Sequence, residues 1–235
     1  MARSTRILAL AAAATVVGGA TVAAAASLPV TSEQLYATDQ NTAPRVPVVY
    51  TWASFDEPNT ILSTGHPLEG GGSWIVNAGA WSINANRLRT YTSITDSSVV
   101  VDVGATDVSV SATLTLPTAG TRRAGLVVND TGTESRLLAV YANTGGGRVT
   151  LTKSVSGAST VVAGTTHVGT PSSTIMTVTS VGTVITVSLD GTVVLTYDLS
   201  PTEAAVFKAA RASRHGVVLD RDTAARVDDL RVESP

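Results

Sequence analysis

An all-β fold, two antiparallel sheets packed face to face, is what this sequence predicts, and three observations carry the prediction. Between Asp107 and Leu116 the residues alternate strictly: Val108, Val110, Ala112, Leu114 and Leu116 fall on one side, Asp107, Ser109, Ser111, Thr113 and Thr115 on the other. That period of two belongs to a strand packed on one face and wet on the other. Turn-forming clusters such as Asn129-Asp130-Thr131-Gly132 and Asn143-Thr144-Gly145-Gly146-Gly147 recur at roughly ten-residue intervals, the spacing of a sandwich or barrel and not of strand-helix-strand units. Hydrophobic residues make up 43% of the 235 but aromatics only 4%, so the core must be built mainly from Val, Leu, Ile and Ala.

Taken in order, the chain starts with Arg3 and Arg6 ahead of an uncharged run from Ile7 to Ala26, which ends in Ala23-Ala24-Ala25-Ala26-Ser27. A basic start, an apolar stretch and a small-residue end make residues 1–26 an expected secretory signal peptide. Left uncleaved, a run of about 20 residues would be a membrane anchor, but its Ala, Thr and Gly content is weakly hydrophobic and favours removal. Cleavage after Ala26 takes Arg3 and Arg6, and no acid, from 16 basic and 18 acidic side chains, which leaves a charge of −4. Leu28-Pro29-Val30-Thr31 looks like part of a sortase signal, yet it lies at the wrong end and has no following glycine or downstream apolar tail. Residues 27–46 read as a flexible Thr-, Ser-, Asn- and Pro-containing spacer and residues 47–235 as one domain.

Val46–Ala53 is strand-like and is turned off by Ser54-Phe55-Asp56-Glu57-Pro58-Asn59. The triplet Gly70-Gly71-Gly72 has neither the lysine nor the strand-to-helix setting of a phosphate loop. Trp74 and Val76 alternate with Ile75 and Asn77, and Trp81 and Ile83 with Ser82 and Asn84. This predicts two short strands joined by a turn at Gly79, with both indoles on one face, where each ring buries on the order of 200 Å². Ser98–Val103, Ala124–Asn129, Arg136–Tyr141 and Arg148–Val155 continue the series of strands, and Thr160–Ala163 is a weaker candidate. Thr174–Ser180, Val184–Leu189 and Val193–Leu199 follow.

At Asp190-Gly191 a two-residue turn would leave Val193, Leu195 and Tyr197 on the side of Thr186 and Ser188. A three-residue loop, Leu189 to Gly191, pairs Val187 with Val193 and Ile185 with Leu195 and is the expected register. Ser200-Pro201-Thr202-Glu203 is a capping box with proline at the first helical position. It predicts one short helix near 201–211, with Val206, Phe207 and Ala210 against the sheet. Gly216–Leu219 and Ala225–Val232 close the chain as strands.

The order of pieces then resembles a known superfamily. Phe55-Asp56, the pattern G-x-W-x-V-x-x-G-x-W-x-I-x-x-N-x-L from Gly72 to Leu88, the Leu189-Asp190-Gly191 turn, Gly216-Val217-Val218-Leu219 and Val227-Asp228-Asp229-Leu230-Arg231-Val232 look like the concanavalin A-like lectin/glucanase superfamily. Laminin-G-like jelly-roll modules of exported bacterial proteins are the nearest in pattern. The resemblance covers about Val46 to Glu233. It implies a two-sheet jelly-roll sandwich with one concave face, where sugars often lie in such modules or at its rim, but it carries no ligand motif to named positions here. Because the fold hosts lectins, adhesion modules, glycosidases and structural domains, activity must be argued from a site.

The glycosidases of this superfamily carry Glu-x-Asp-x-x-Glu or a close variant on one strand, which sets acid and nucleophile on the same face. The six glutamates, Glu33, Glu57, Glu69, Glu134, Glu203 and Glu233, do not make it, so no catalytic residue is assigned. His66, His167 and His215 are each isolated in or beside a loop and read as surface histidines, not ligands or bases. Zero cysteines exclude a thiol nucleophile and a disulfide framework, and no serine lies in a Gly-x-Ser-x-Gly elbow. Asp220, Asp222, Asp228 and Asp229 cluster near the end, with Asp56 expected close by if the termini pair. Solvated turn acids, in salt bridges with Arg221, Arg226 and Arg231, outweigh a structural calcium there, so no metal residue and no cofactor is assigned. Trp74, Trp81, Trp52, Tyr91 and Tyr141 could all stack on sugar; the alternation assigns Trp74 and Trp81 to the core and leaves Trp52 and Tyr141 open. Arg122-Arg123 reads as a solvated pair.

The expectation is a secreted, non-catalytic module that binds carbohydrate or another extracellular surface component, its ligand-binding residues unassigned. A structural or adhesive protein-interaction domain and a glycoside-active enzyme are the alternatives. The mildly acidic balance offers nothing to nucleic acid, and contact with membrane is expected only through an uncleaved signal segment.

Overall fold

A computed structural model describes residues 46–91, 97–117, 122–132, 134–166, 168–220 and 224–235, and among these sixteen strands and one helix build two antiparallel sheets, not closed into a barrel. The expected signal peptide, the spacer up to Arg45, and His167, Arg221 and Asp222 lie outside the described residues, as does the side chain of Asp220. Numbered in chain order, the nine-stranded sheet holds β1 (Val49–Ala53), β2 (Thr60–Leu62), β4 (Trp81–Ile83), β5 (Leu88–Thr90), β7 (Val108–Thr115), β12 (Ser173–Val181), β13 (Val184–Leu189), β14 (Thr192–Asp198) and β16 (Arg226–Glu233). The seven-stranded sheet holds β3 (Trp74–Ala78), β6 (Ser97–Asp102), β8 (Arg123–Asp130), β9 (Arg136–Ala142), β10 (Arg148–Val155), β11 (Ala158–Thr166) and β15 (Arg214–Asp220). Their orders are β14-β13-β12-β7-β16-β5-β4-β2, with β1 on β16, and β11-β10-β9-β8-β15-β6-β3.

The alternating stretch is β7, and Val108, Val110, Ala112, Leu114 and Leu116 are all at most 1% exposed. They meet Val99, Val101, Leu126, Val128, Leu137, Ala139 and Val217 of the other sheet in one apolar core, as two packed layers require. Strand β1 runs antiparallel to β16, with Ala53 opposite Leu230, so the two ends of the described chain close one sheet.

Three expectations are corrected. The two tryptophan strands do not pair with each other: β3 pairs with β6, and β4 with β2 and β5. Gly79, at φ +87°, turns the chain from one sheet into the other, so Trp74 and Trp81 face the same interior from opposite layers, 1% and 0% exposed. Period-two alternation reports which face is buried but not which sheet a strand joins. A Cβ on Gly79 would sit 2.6 Å from the Ser97 hydroxyl, so nothing larger takes that corner.

The Asp190-Gly191 turn is the second. It has two residues, both at positive φ (48° and 78°), and Leu189 lies opposite Thr192. A bulge then shifts the register, so that Val187 meets Leu195 and Ile185 meets Tyr197. Apolar side chains are kept together, as expected, but by an extra residue in β14 and not by a longer loop.

The helix α1 (Pro201–Phe207) is the third, ending short of the expected 211. Its capping box is formed: Ser200 Oγ accepts from Glu203 N–H at 3.4 Å and a Glu203 carboxylate oxygen accepts from Ser200 N–H at 2.8 Å. Phe207 is fully buried with Ala204 and Val206 packed beside it, while Ala210 is exposed. The weak candidate at 160–163 extends to the nine residues of β11, and β2 and β5, three residues each, arise in stretches with no readable alternation.

Candidate functional site

The seven-stranded sheet turns a second apolar surface away from the sandwich core. Val100, Val127, Leu138, Val140 and Val218 alternate with the core-facing positions of β6, β8, β9 and β15, and they are at most 8% exposed, with Ile75 packed beside them. Two glycines keep this floor low: a Cβ on Gly125 would meet Ala139 O at 1.9 Å, and one on Gly216 would meet Val99 O at 2.1 Å.

Two hydrogen bonds cross the floor diagonally. Asn77 Nδ2 of β3 donates to Asp130 Oδ2 of β8 at 2.6 Å, over β6 and β15. Arg136 Nη1 of β9 donates to Ser98 Oγ of β6 at 3.1 Å, over β8 and β15. Each pair stands three strand steps apart, about 14 Å in a flat sheet, so contact requires the sheet to curl toward this side. The face is therefore concave, and apolar side chains on it are shielded by the polar ones that bridge it.

At one end of that face lies a cavity of about 530 Å³, lined by Asn77, Asp130, Glu134, Arg136, Ser154 and Ser159 together with Ala78, Gly132 and Gly157. The β8–β9 and β10–β11 turns build its rim. Asn129 and Glu134, at φ +52° and +63°, give the first of these its shape. The Asp130 carboxylate also accepts from Gly132 N–H at 2.6 Å, and Ser154 Oγ donates to Glu134 O at 3.0 Å. Among the described residues no ion pair reaches Arg136, and its Nε is buried without an acceptor. The lining thus offers donors in Arg136 and the serines, and acceptors in Asn77 Oδ1, Asp130 and Glu134. That mixture suits a ligand covered in hydroxyl groups.

The sequence assigns none of these residues to a site, and Glu134 enters it only as one of six glutamates outside the glycosidase pattern. Asn77 is the wet neighbour of a tryptophan, Asp130 a turn residue and Arg136 a strand start; only the strand order, which carries no local signal, brings them together. The expected candidates lie elsewhere. Trp74 stacks on Phe55 in the core, ring centroids 6.0 Å apart and planes at 17°, and Trp81 Nε1 donates to Ala78 O at 2.8 Å. Tyr141 is fully buried and Trp52 is 45% exposed on β1. Arg122 and Arg123 are half-buried. Asp228 pairs with Arg87 at 3.7 Å, and its carboxyl is raised above the usual range by burial and by the neighbouring Asp229 and Asp56. Among the described residues no three His, Cys, Asp or Glu side chains converge as a metal site.

Of the histidines, His66 sits 3.0 Å from the Glu57 carboxylate, half-buried. His215 is not a surface residue. It is 0% exposed on β15, its Nδ1 accepting from Asn129 N–H at 3.3 Å and its Nε2 2.9 Å from Ala105 O. The alternation of Gly216 to Leu219 extends two residues further back than expected, and this carries His215 inward.

The fold set out above is similar to that of solved structures. A GH43 protein, BlXynB of Bacillus licheniformis, superposes with a TM-score of 0.56 at 16% identity, over 83% of this chain and 41% of that one. An endo-β-1,3-glucanase of Pyrococcus furiosus does so with a TM-score of 0.52 at 14% identity, over 80% and 94%. The fold is the concanavalin A-like lectin/glucanase fold. A carbohydrate binding module, CBM66 of Bacillus subtilis, matches with a TM-score of 0.48 at 18% identity, over 68% of this chain and 91% of that one. No protein-family model matches the sequence, and none of the curated proteins resembles it in sequence. The architecture is thus a concanavalin A-like sandwich whose seven-stranded sheet carries the cavity.

Proposed function

We propose that the chain is an exported carbohydrate-binding module, with a neutral glycan seated in the cavity on the concave face of the seven-stranded sheet. The observation that carries the reading is the cavity's lining: hydrogen-bonding side chains of both kinds, Asn77, Asp130, Glu134, Arg136, Ser154 and Ser159, around about 530 Å³ beside an apolar floor. Two carboxylates against one guanidinium make the lining slightly negative, which favours uncharged hydroxyls over an acidic ligand. Structural neighbours named for sugar-active proteins support the class of ligand, and the basic and apolar amino-terminal segment supports export.

Asp130 and Glu134 in one cavity also support a second reading, glycoside hydrolysis by a carboxylate pair. Against it, both Asp130 oxygens are engaged, one by Asn77 and one by the Gly132 N–H, which fixes that carboxylate as a positioning group. A glycan array with the full chain and with Asn77→Ala and Arg136→Ala tests the proposal. Binding to an uncharged oligosaccharide that both substitutions weaken is the expected result. No binding to any sugar overturns it, and release of reducing ends from the bound oligosaccharide transfers the site to the second reading.

A further inference from the structure

On the other sheet, the solvent side of β2, β4 and β5 forms a shallow shelf of about 320 Å³ whose lining includes Asn59, Ile61, Ser82, Asn84, Arg89 and Tyr91. Ile61 and Tyr91 are 70% and 48% exposed and both line this shelf. Arg89 stands between Ser82, its cross-strand partner, and Tyr91, two residues along the same face. Its neighbour Arg87 has a counter-ion in Asp228, but among the described residues Arg89 has no ion pair and no side-chain hydrogen bond, and its Nε is buried without an acceptor. Among the described residues no carboxylate lines the shelf. A half-buried guanidinium with no carboxylate beside it leaves its fork free to take an anionic partner.

We propose that this shelf is a second glycan site, distinct from the concave-face cavity, for a sugar ring that carries an anionic substituent, a carboxylate or a sulfate. Arg89 holds the anion, its fork matched to either group, while Tyr91 and Ile61 take the apolar face of the ring and Asn59 and Asn84 its hydroxyls. The uncharged lining of Ser and Asn is as this chemistry requires, since a nearby acid would repel the ligand. A nucleic acid fits less well: it needs several phosphate contacts, and among the described residues Arg89 is the one cation lining the shelf, on a chain that is net negative.

The test is titration of the full chain with three oligosaccharides of equal length: an oligogalacturonate, a sulfated dextran fragment and a neutral maltooligosaccharide. One anionic arm is expected to bind about tenfold more tightly than the neutral arm, with the preference shrinking as salt rises. Which arm it is distinguishes carboxylate from sulfate. Arg89→Gln is expected to abolish the preference at an unchanged melting temperature, whereas Asn77→Ala in the first cavity leaves the affinity for the anionic arm unchanged. Should Arg89→Gln not fold, Tyr91→Ala serves instead, with an expected loss of about fivefold on the anionic arm. Equal binding of all three arms, no anionic binding at all, or a preference untouched by Arg89→Gln and Tyr91→Ala overturns the proposal.

Discussion

His215 makes the fold acid-sensitive in a defined window. In the neutral ring one nitrogen accepts and the other donates, and the structure uses both: Nδ1 takes the Asn129 N–H and Nε2 faces Ala105 O. A second proton would have to sit on Nδ1, pointing at another N–H. Burial is the main cause that pushes the imidazole down to about 4; nearby Lys208 adds to it, while the Ala105 carbonyl and Asp102 oppose it. In the unfolded chain the ring takes its proton near 6.5. Because the folded value lies below the unfolded one, the stabilisation is complete above pH 6.5 and is lost as pH falls from 6.5 toward 4. At about 1.4 kcal/mol for each tenfold of proton affinity, the whole window is worth about 3 kcal/mol.

Urea unfolding at pH 7, 6, 5 and 4.5 reads this directly as a falling midpoint. The informative variant is His215→Asn, whose Oδ1 can still accept from Asn129 N–H while the bond to Ala105 is lost. It is expected to be about 1–3 kcal/mol less stable at pH 7. Between pH 6.5 and 4 its midpoint should hold nearly level, so the two proteins converge in acid. A wild-type midpoint that stays level over this range, or a variant that loses as much as the wild type, refutes the argument.

A second acid step belongs to Glu203, whose carboxylate accepts from Lys153 Nζ at 2.5 Å, the Tyr197 hydroxyl at 2.8 Å and the Ser200 N–H and hydroxyl, each also at 2.8 Å. Burial works against its charge, but the Lys153, Ser200 and Tyr197 bonds outweigh it and hold the carboxyl down to about 2. This stability is present above about 4.5 and lost as pH falls toward 2; Glu203→Gln should lower the melting temperature at pH 7 and flatten its fall below pH 4.5. Millimolar calcium should leave the melting temperature unchanged, since Asp56, Asp228 and Asp229 form no cluster of three metal-binding side chains. A rise reversed by a chelator would restore the ion at the β1–β16 junction.

What was legible in the sequence is whatever a strand's own residues determine. Val108 to Leu116 names its buried face because the side-chain period is fixed by local geometry, and Ser200 to Glu203 caps a helix because both partners lie within one turn. What was not legible depends on partners distant in sequence. Trp74 and Trp81 are seven residues apart and alternate alike, yet the turn at Gly79 sends them to opposite sheets, a choice made by β6 and by β5, not by the indoles. The β14 bulge shows the same limit, since the rule that apolar side chains stay together was right and two backbone solutions satisfied it.

The candidate site follows from this. Asn77 and Asp130 are 53 positions apart and touch only because the seven-stranded sheet curls toward its solvent side. Curling of that kind needs close backbone approach at Gly125 and Gly216, where any side chain would strike a neighbouring carbonyl. Those glycines occupy strand interiors, where a residue without a side chain ordinarily weakens a sheet. Their presence makes sense if the concave face is what the fold is for: the chain gives up side-chain burial at its centre and gains a hollow that polar groups from both ends of the sheet can line.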